Sequence, residues 1–272
     1  MKKPGVLRNF RSLVRRLEAV SREPEAEARH LYHHLGLSLL DPWPAEQEDW
    51  LNQVIERRRR GEPLAYLLGT WPFLDLELEV TPEVLIPRPE TETLALRALE
   101  RARPLARPVI LEVGTGSGAI ALYLARHLPH AVVVATDLLT GALQVARRNA
   151  ERLGLSLHWI QTDLLQGLAT ASVDLVVSNP PYVAEAEYPA LTPEVHHEPR
   201  RALVAGPRGT EVQEQLLQQA QRVLKSDGWI LLELAPHQAR DLRARARTLG
   251  YRSVRIYPDM AGRPRVLEAQ VP

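Results

Sequence analysis

At 272 residues the chain is too long for one minimal domain and too short for three, leaving one large α/β domain or an ordinary domain with a smaller partner. Its 45% hydrophobic and 25% charged content is that of a soluble globular chain rather than a disordered one. Thirty-four basic against 33 acidic side chains give +1, no electrostatic footprint for a general nucleic-acid binder, and the absence of cysteine removes disulfide scaffolds, thiol nucleophiles and cysteine-ligated zinc together.

The start, Met1-Lys2-Lys3-Pro4, runs into an arginine-rich amphipathic stretch rather than an apolar signal core, and no apolar run approaches the ~18 residues of a membrane helix. The expected compartment is the cytoplasm, with no membrane partner. Leu7, Phe10, Val14 and Leu17 share one face at helical spacing. A second helix is predicted from Pro24 to Gly36, and a third from Pro44 to Arg60 burying Trp50, Leu51, Val54 and Ile55. Arg57 to Arg60 fall in its last turn, where positive charge complements the helix dipole. The period then changes. Leu74, Leu76, Leu78 and Val80 alternate with acidic residues, and Val84-Leu85-Ile86 follows Thr81-Pro82, so a hairpin is expected there. Glu90 to Arg103 reads as a helix. From Pro108 onward strands and helices alternate: strands near 109–113, 131–136, 157–160, 173–178, 229–234, 252–257 and 265–269, with Thr140 as cap and Gly154 as stop of one intervening helix. That alternation means a largely parallel sheet with helices on both faces.

The first chemical signal is Glu112-Val113-Gly114-Thr115-Gly116-Ser117-Gly118, a strand running through glycines into a helix. Glycines there let the backbone turn sharply and approach a ligand with no Cβ in the way. Gly114, Gly116 and Ala119 also satisfy the dinucleotide pattern, so the loop alone decides little; a tight turn without any ligand is the less favoured alternative. Asp137 ends the second strand of the alternating region, where a carboxylate can accept both hydroxyl protons of a ribose. Asp163-Leu164, after the third, adds an acceptor and an apolar wall for an adenine ring. Together these features indicate an adenosine cofactor and do not separate NAD from S-adenosylmethionine.

The fourth strand separates them. Ser178-Asn179-Pro180-Pro181-Tyr182 ends it on the same sheet edge as the glycine loop, and two consecutive prolines force the chain out of the ladder with Asn179 at the lip. These residues resemble the class I S-adenosylmethionine-dependent methyltransferases that modify planar amino nitrogens. Such a nitrogen is a poor nucleophile because its lone pair is conjugated. The Asn179 side-chain oxygen and the Pro180 carbonyl can hold its two N–H groups, localise the lone pair and aim it, while Tyr182 stacks on the flat group. Attack of a neutral nitrogen on a sulfonium moves charge rather than creating it, so no strong general base is needed.

Further segments carry a narrower resemblance. Arg60-Gly61-Glu62-Pro63-Leu64-Ala65-Tyr66-Leu67-Leu68-Gly69, Val84-Leu85-Ile86-Pro87-Arg88-Pro89-Glu90-Thr91-Glu92, Glu198-Pro199 and Asp259-Met260-Ala261-Gly262-Arg263 are similar to the HemK/PrmC family, which methylates N5 of the glutamine in the Gly-Gly-Gln motif of class 1 peptide-chain release factors. The resemblance implies a class I methyltransferase fold, a seven-stranded, mostly parallel doubly wound sheet, with a helical docking domain over residues 1–70, a hairpin linker over 71–88 and the methyltransferase domain over 89–272. It places Gly114, Thr115, Gly116, Ser117, Gly118, Asp137, Asp163, Leu164 and Asn179 around S-adenosylmethionine, and Asn179, Pro180, Pro181 and Tyr182 around the glutamine. Glu233-Leu234-Ala235-Pro236-His237-Gln238 departs from the family, which usually shows glycine where Ala235 stands.

A nucleic-acid amino-methyltransferase is the main competing class; near-zero charge and a neutral N-terminal region holding 12 basic and 10 acidic groups over residues 1–70 count against direct nucleic-acid binding. A sister family that methylates a ribosomal-protein glutamine shares Asn-Pro-Pro-Tyr but is expected to differ at Ile86 to Glu92. A dinucleotide oxidoreductase leaves Asn179 to Tyr182 without a role. The adjacent pairs His33-His34 and His196-His197 point apart on regular backbone and read as surface residues rather than metal ligands. Val183 to Thr210 reads as a lid over the substrate.

Overall fold

A computed structural model describes residues 9–272, so Leu7 and the first residues lie outside the described part. The chain divides into two compact units, one of residues 9–69 with Thr192–His197, the other of Thr70–Leu191 with Glu198–Pro272.

The first unit is helical: α1 (Phe10–Leu17), α2 (Pro24–His34), α3 (Glu48–Arg59) and α4 (Leu64–Leu68). Asn9 starts α1 by accepting the Ser12 backbone N–H at 3.1 Å, and the Ser12 hydroxyl accepts the Asn9 N–H in return. Leu13, Leu17, Leu31, Tyr32 and Leu51 are buried, with Tyr32 edge-on to Phe10 and to Trp43 at 5.5 and 5.6 Å between ring centroids. The buried tryptophan is Trp43. Trp50, expected inside, is only half-buried and stacks on Trp43 and His34. The arginine run does more than sit at a helix end: the Arg58 side chain is 1% exposed, and its guanidinium binds Glu27, Glu194 at 2.6 Å and the Glu62 carbonyl at 2.6 Å. A buried cation survives only with such full pairing, so the run is not a uniformly solvated face.

The second unit contains β1 (Thr70–Phe73), β2 (Leu76–Glu79), α5 (Pro89–Ala102), β3 (Val109–Val113), α6 (Ala119–His127), β4 (Val132–Asp137), α7 (Thr140–Leu153), β5 (His158–Gln161), β6 (Val173–Ser178), β7 (Val183–Ala184), α8 (Arg200–Leu203), β8 (Val204–Gly206), α9 (Glu211–Val223), β9 (Leu224–Glu233), α10 (Ala239–Thr248), β10 (Arg252–Pro258) and β11 (Pro264–Gln270). The central sheet has seven strands in the order β10-β11-β9-β6-β3-β4-β5. The five strands from β9 to β5 are parallel, and β11 and β10 close the edge antiparallel. Its inner strands read as continuous apolar runs because both faces are covered. Ile110 and Val177 join one core with Leu94 and Leu122, while Leu111 and Val176 join the other with Leu216 and Leu242.

The hairpin differs from expectation. Thr70–Phe73 pairs antiparallel with Leu76–Glu79, Phe73 opposite Leu76, so Leu74 and Asp75 form the turn rather than starting a strand. Leu74 sits at φ 52°, held by a bond from its N–H to the Glu92 carboxylate at 3.1 Å. Val84 and Ile86 are buried and Leu85 half-buried, but the segment joins no strand. Thr140 begins α7 but its side chain does not cap it; the Asp137 carboxylate receives the Leu139 N–H instead.

Candidate active site

Chain reversal sets the site. From β3 the strands run outward through β4 to β5, then return to place β6 on the other side of β3, so the loops after β3 and β6 diverge and leave a crevice at the carboxyl ends of the strands. Val113, last of β3, lies in register with Ser178, last of β6, and with Thr136 of β4. The Ser178 hydroxyl donates to the Val113 carbonyl at 2.7 Å, locking the exit of one motif to the exit of the other. The crevice opens into a cavity of about 300 Å³ whose lining includes Gly114, Gly116, Asp137, Leu164, Asn179 and Pro180.

Gly114 and Gly116 adopt φ 72° and 54°, the left-handed region, and a Cβ on either would meet no atom within 4 Å. Their freedom serves the turn, and the open space before them belongs to the cavity. The turn is pinned from below: Glu112 Oε2 accepts the Thr115 hydroxyl and the Ala121 N–H. Burial raises the Glu112 carboxyl to about 8, against hydrogen bonds that lower it and with Asp137 adding to the rise. Asp137 takes the Leu139 N–H on Oδ1 at 2.9 Å and the Gly116 N–H on Oδ2 at 3.0 Å, which leaves lone pairs on both oxygens and a fixed carboxylate plane. Burial raises its pKa and these backbone donors oppose the rise.

Most of the expected site residues converge here. Thr115, Ser117, Asp163 and Pro181 line the same cavity. Two do not. Gly118 sits at φ 86° before α6, where a Cβ would lie 2.8 Å from Leu122 Cδ1 and 3.2 Å from Ala146 Cβ, so it packs α6 against α7 rather than facing a ligand. Tyr182 is not part of the lining: its hydroxyl lies 3.4 Å from Glu233 Oε1, and burial pushes the phenol well above its ordinary range.

Residue patterns alone missed the supports. Asn179 Nδ2 donates to the Thr91 hydroxyl oxygen at 3.0 Å. Arg88 pairs with Glu198, which also accepts the Ile86 N–H at 3.1 Å, so the segment from Ile86 to Thr91 braces both Asn179 and the start of the chain leading to α8. Gln238 donates to the carbonyls of Tyr182 and Gly209, both at 2.9 Å, and accepts the Ala235 N–H. Ala235 has φ −74°, open to any residue, which explains why alanine is accepted there. Val183 to Thr210 is not a plain loop; β7 and β8 pair in parallel within it, and Arg201, Ala202 and Val204 line the cavity. Gly209 (φ 78°) closes that stretch, and a Cβ on it would stand 2.8 Å from the Tyr182 carbonyl. Gly209→Ala is expected to cost at least ~1–2 kcal/mol from backbone conformation alone, checked by urea unfolding, and to lower turnover by displacing the Tyr182 backbone.

Residues 91–208 match the family described as Methyltransferase small domain, and residues 10–69 the PrmC N-terminal domain. A release factor glutamine methyltransferase of Deinococcus radiodurans is 40% identical over 258 residues, 91% of each chain. One of Moorella thermoacetica is 44% identical over 216 residues, 78% of this chain and 76% of the relative. The chain belongs to the release factor glutamine methyltransferase family. Membership makes it a methyltransferase with S-adenosylmethionine as cofactor. Among solved structures, a methyltransferase from Pyrococcus furiosus shares the fold at a TM-score of 0.53 and 24% identity over 72% of this chain and 89% of that one. No helix among the described residues is long and apolar enough to cross a membrane.

The cavity suits the cofactor of this family. A left-handed glycine turn open to the crevice, a carboxylate with a free lone pair on each oxygen to accept ribose hydroxyls, and the apolar Leu164 as a wall for the adenine ring suit an adenosine with an amino-acid tail. Asp137→Ala is expected to weaken S-adenosylmethionine binding roughly 10- to 100-fold, the loss of charge-assisted hydrogen bonds worth about 1.5–3 kcal/mol. Isothermal titration checks it; unchanged affinity removes Asp137 from the ribose role.

Proposed function

We propose that this chain transfers a methyl group from S-adenosylmethionine to the side-chain amide nitrogen of the glutamine in the Gly-Gly-Gln motif of class 1 release factors, in the cytoplasm. The observation that carries the reading is the placement of Asn179 and Pro180 on the wall of the cavity that the glycine turn and Asp137 also line. Gly114 to Ser117 hold the amino-acid end of the cofactor, Asp137 its ribose, and Asp163 and Leu164 its adenine. S-adenosylmethionine, when bound, supplies an electrophilic methyl on a sulfonium. Asn179 Oδ1 and the Pro180 carbonyl accept the two N–H groups of the substrate amide, hold its nitrogen still and reduce its conjugation. Pro180 and Pro181 make this lip rigid, so little reorganisation accompanies binding. The nitrogen's surplus proton leaves to water, and no side chain is required as a strong base. Residues 1–70 act as the docking module for the protein substrate, and 89–272 as the catalytic domain.

The test offers labelled S-adenosylmethionine with release factor, with its Gly-Gly-Gln→Gly-Gly-Asn variant, with bulk tRNA and rRNA, and with DNA. Label on release factor alone, lost in the variant, is the expected result. Label on nucleic acid moves the protein to the amino-methyltransferases of nucleic acids.

A further inference from the structure

The lip that carries the two acceptors cannot hold itself by its own backbone donors. Pro180 and Pro181 have no N–H, so the segment depends on anchors at its ends. One end is Ser178, in register with Val113 of β3 and Leu232 of β9, its hydroxyl on the Val113 carbonyl at 2.7 Å. The other end is Tyr182. Its N–H donates to the carbonyl of Leu203, the last residue of α8, at 3.1 Å, and its own carbonyl accepts Gln238 Nε2 at 2.9 Å. Leu203 belongs to the stretch from Val183 to Thr210 that leaves the lip and returns. Gln238 Nε2 holds that stretch too, at its close, through the Gly209 carbonyl at 2.9 Å.

The opposite end of the same amide is equally engaged. Gln238 Oε1 accepts the Ala235 N–H at 3.1 Å and Gln213 Nε2, from α9, at 3.3 Å. Two backbone carbonyls on the nitrogen and a backbone N–H on the oxygen cannot exchange roles, so the amide has one orientation and no spare donor. Gln238 is 3% exposed, in the single turn Pro236–Gln238 that follows β9. A Cβ on Gly209 would stand 3.1 Å from Gln238 Nε2, so glycine lets both carbonyls converge on this one group. Tyr182, Gly209 and Gln238 all lie outside the cavity lining, so the clamp touches neither cofactor nor reacting atoms.

We infer that Gln238 is a positioning residue for methyl transfer: by holding Tyr182 and Gly209 to the exit of β9, it fixes the far end of the lip and thereby aims the Pro180 carbonyl and the Asn179 side chain. The proline rings set two φ angles of the lip, and the remaining freedom is removed only when both ends are fixed. Releasing Tyr182 lets the Pro180 carbonyl turn off the line to the substrate N–H, and a misplacement of about 1 Å at a reacting group costs on the order of 10²-fold in rate. The inference rests on the methyl-transfer reading above.

The experiment compares wild type with Gln238→Met, which keeps the length and loses the donors, and Gln238→Glu, which keeps the shape. Ionised, glutamate offers only acceptors to two carbonyls and repels them; protonated, it regains one donor. The four partners of the amide do not titrate. On neighbouring elements, Glu211 and Glu214 of α9 pair with Arg208, Arg265 of β11 pairs with Asp259, and Glu233 of β9 faces the Tyr182 hydroxyl. These act in wild type and variant alike, so the ratio of variant to wild-type kcat isolates position 238. Gln238→Met is expected to lose at least about tenfold in kcat, with KM for release factor and S-adenosylmethionine affinity changed less than about threefold. The kcat ratio of Gln238→Glu is expected to fall as pH rises, while that of Gln238→Met stays flat. Cofactor affinity, measured at each pH, confirms that each variant is folded. A Gln238→Met kcat within about twofold of wild type, a loss shared equally by cofactor affinity, or a Gln238→Glu ratio indifferent to pH overturns the inference. Label on nucleic acid instead of release factor defeats the glutamine reading alone, since the same ratios can be taken on that acceptor.

Discussion

Asn179→Ala is expected to lower kcat about 10²–10³-fold, the scale seen when one preorganised hydrogen-bond partner of a reacting group is removed. The side chain lines the cavity, and its Nδ2 is held by Thr91 at 3.0 Å, so its oxygen is fixed before substrate arrives. Alanine removes the acceptor while leaving the glycine turn and the Asp137 carboxylate in place. S-adenosylmethionine affinity is therefore expected to change less than about tenfold, since those contacts carry it. Single-turnover rates together with titration of the cofactor separate the two effects. Near-normal turnover contradicts the two-acceptor mechanism; equal loss of binding and rate makes Asn179 a cofactor ligand first.

The second large effect concerns stability. Glu112 is 2% exposed, and burial holds its carboxyl protonated up to about 8, far above its ordinary value of 4.5. The unfolded chain gives up that proton near 4.5 while the folded chain keeps it to about 8, so the folded state binds more protons in between. Stability thus falls as pH rises through this window, by an amount on the order of 4–5 kcal/mol at most. Glu112→Gln keeps the shape and removes the titration. The difference in unfolding free energy between wild type and variant is expected to move several kcal/mol in favour of the variant from pH 5 to 8, measured by urea unfolding at each pH. Parallel curves contradict a buried neutral Glu112.

Much of the site was legible because its parts are local. The glycine turn, Asp137 and Asn179-Pro180-Pro181 each sit within a few residues of a strand end, and strand order brings those ends together. The hairpin was misread because Leu74 continues the alternation of Leu76 and Leu78, while Pro72 in the true first strand argues against a strand. Pairing across a two-residue turn, with Glu92 holding Leu74, outweighs the pattern. Arg58 was hidden for a related reason: in a run of four arginines nothing local marks the one whose helical position faces Glu27. Thr91 and Asn179 lie 88 residues apart and meet only when α5 is packed beside the end of β6. Tyr182 followed the expected motif, yet its neighbour Glu233 takes its hydroxyl, which no reading of Asn-Pro-Pro-Tyr alone supplies.

The central claim is that the methyl reaches a glutamine amide through the lip at Asn179 and Pro180. Tandem mass spectrometry of release factor after incubation with the enzyme and S-adenosylmethionine tests it most directly. One added methyl on the glutamine side chain of Gly-Gly-Gln, absent with Asn179→Ala, is the result expected. A methyl on any other residue, or the same modification undiminished with the variant, contradicts it.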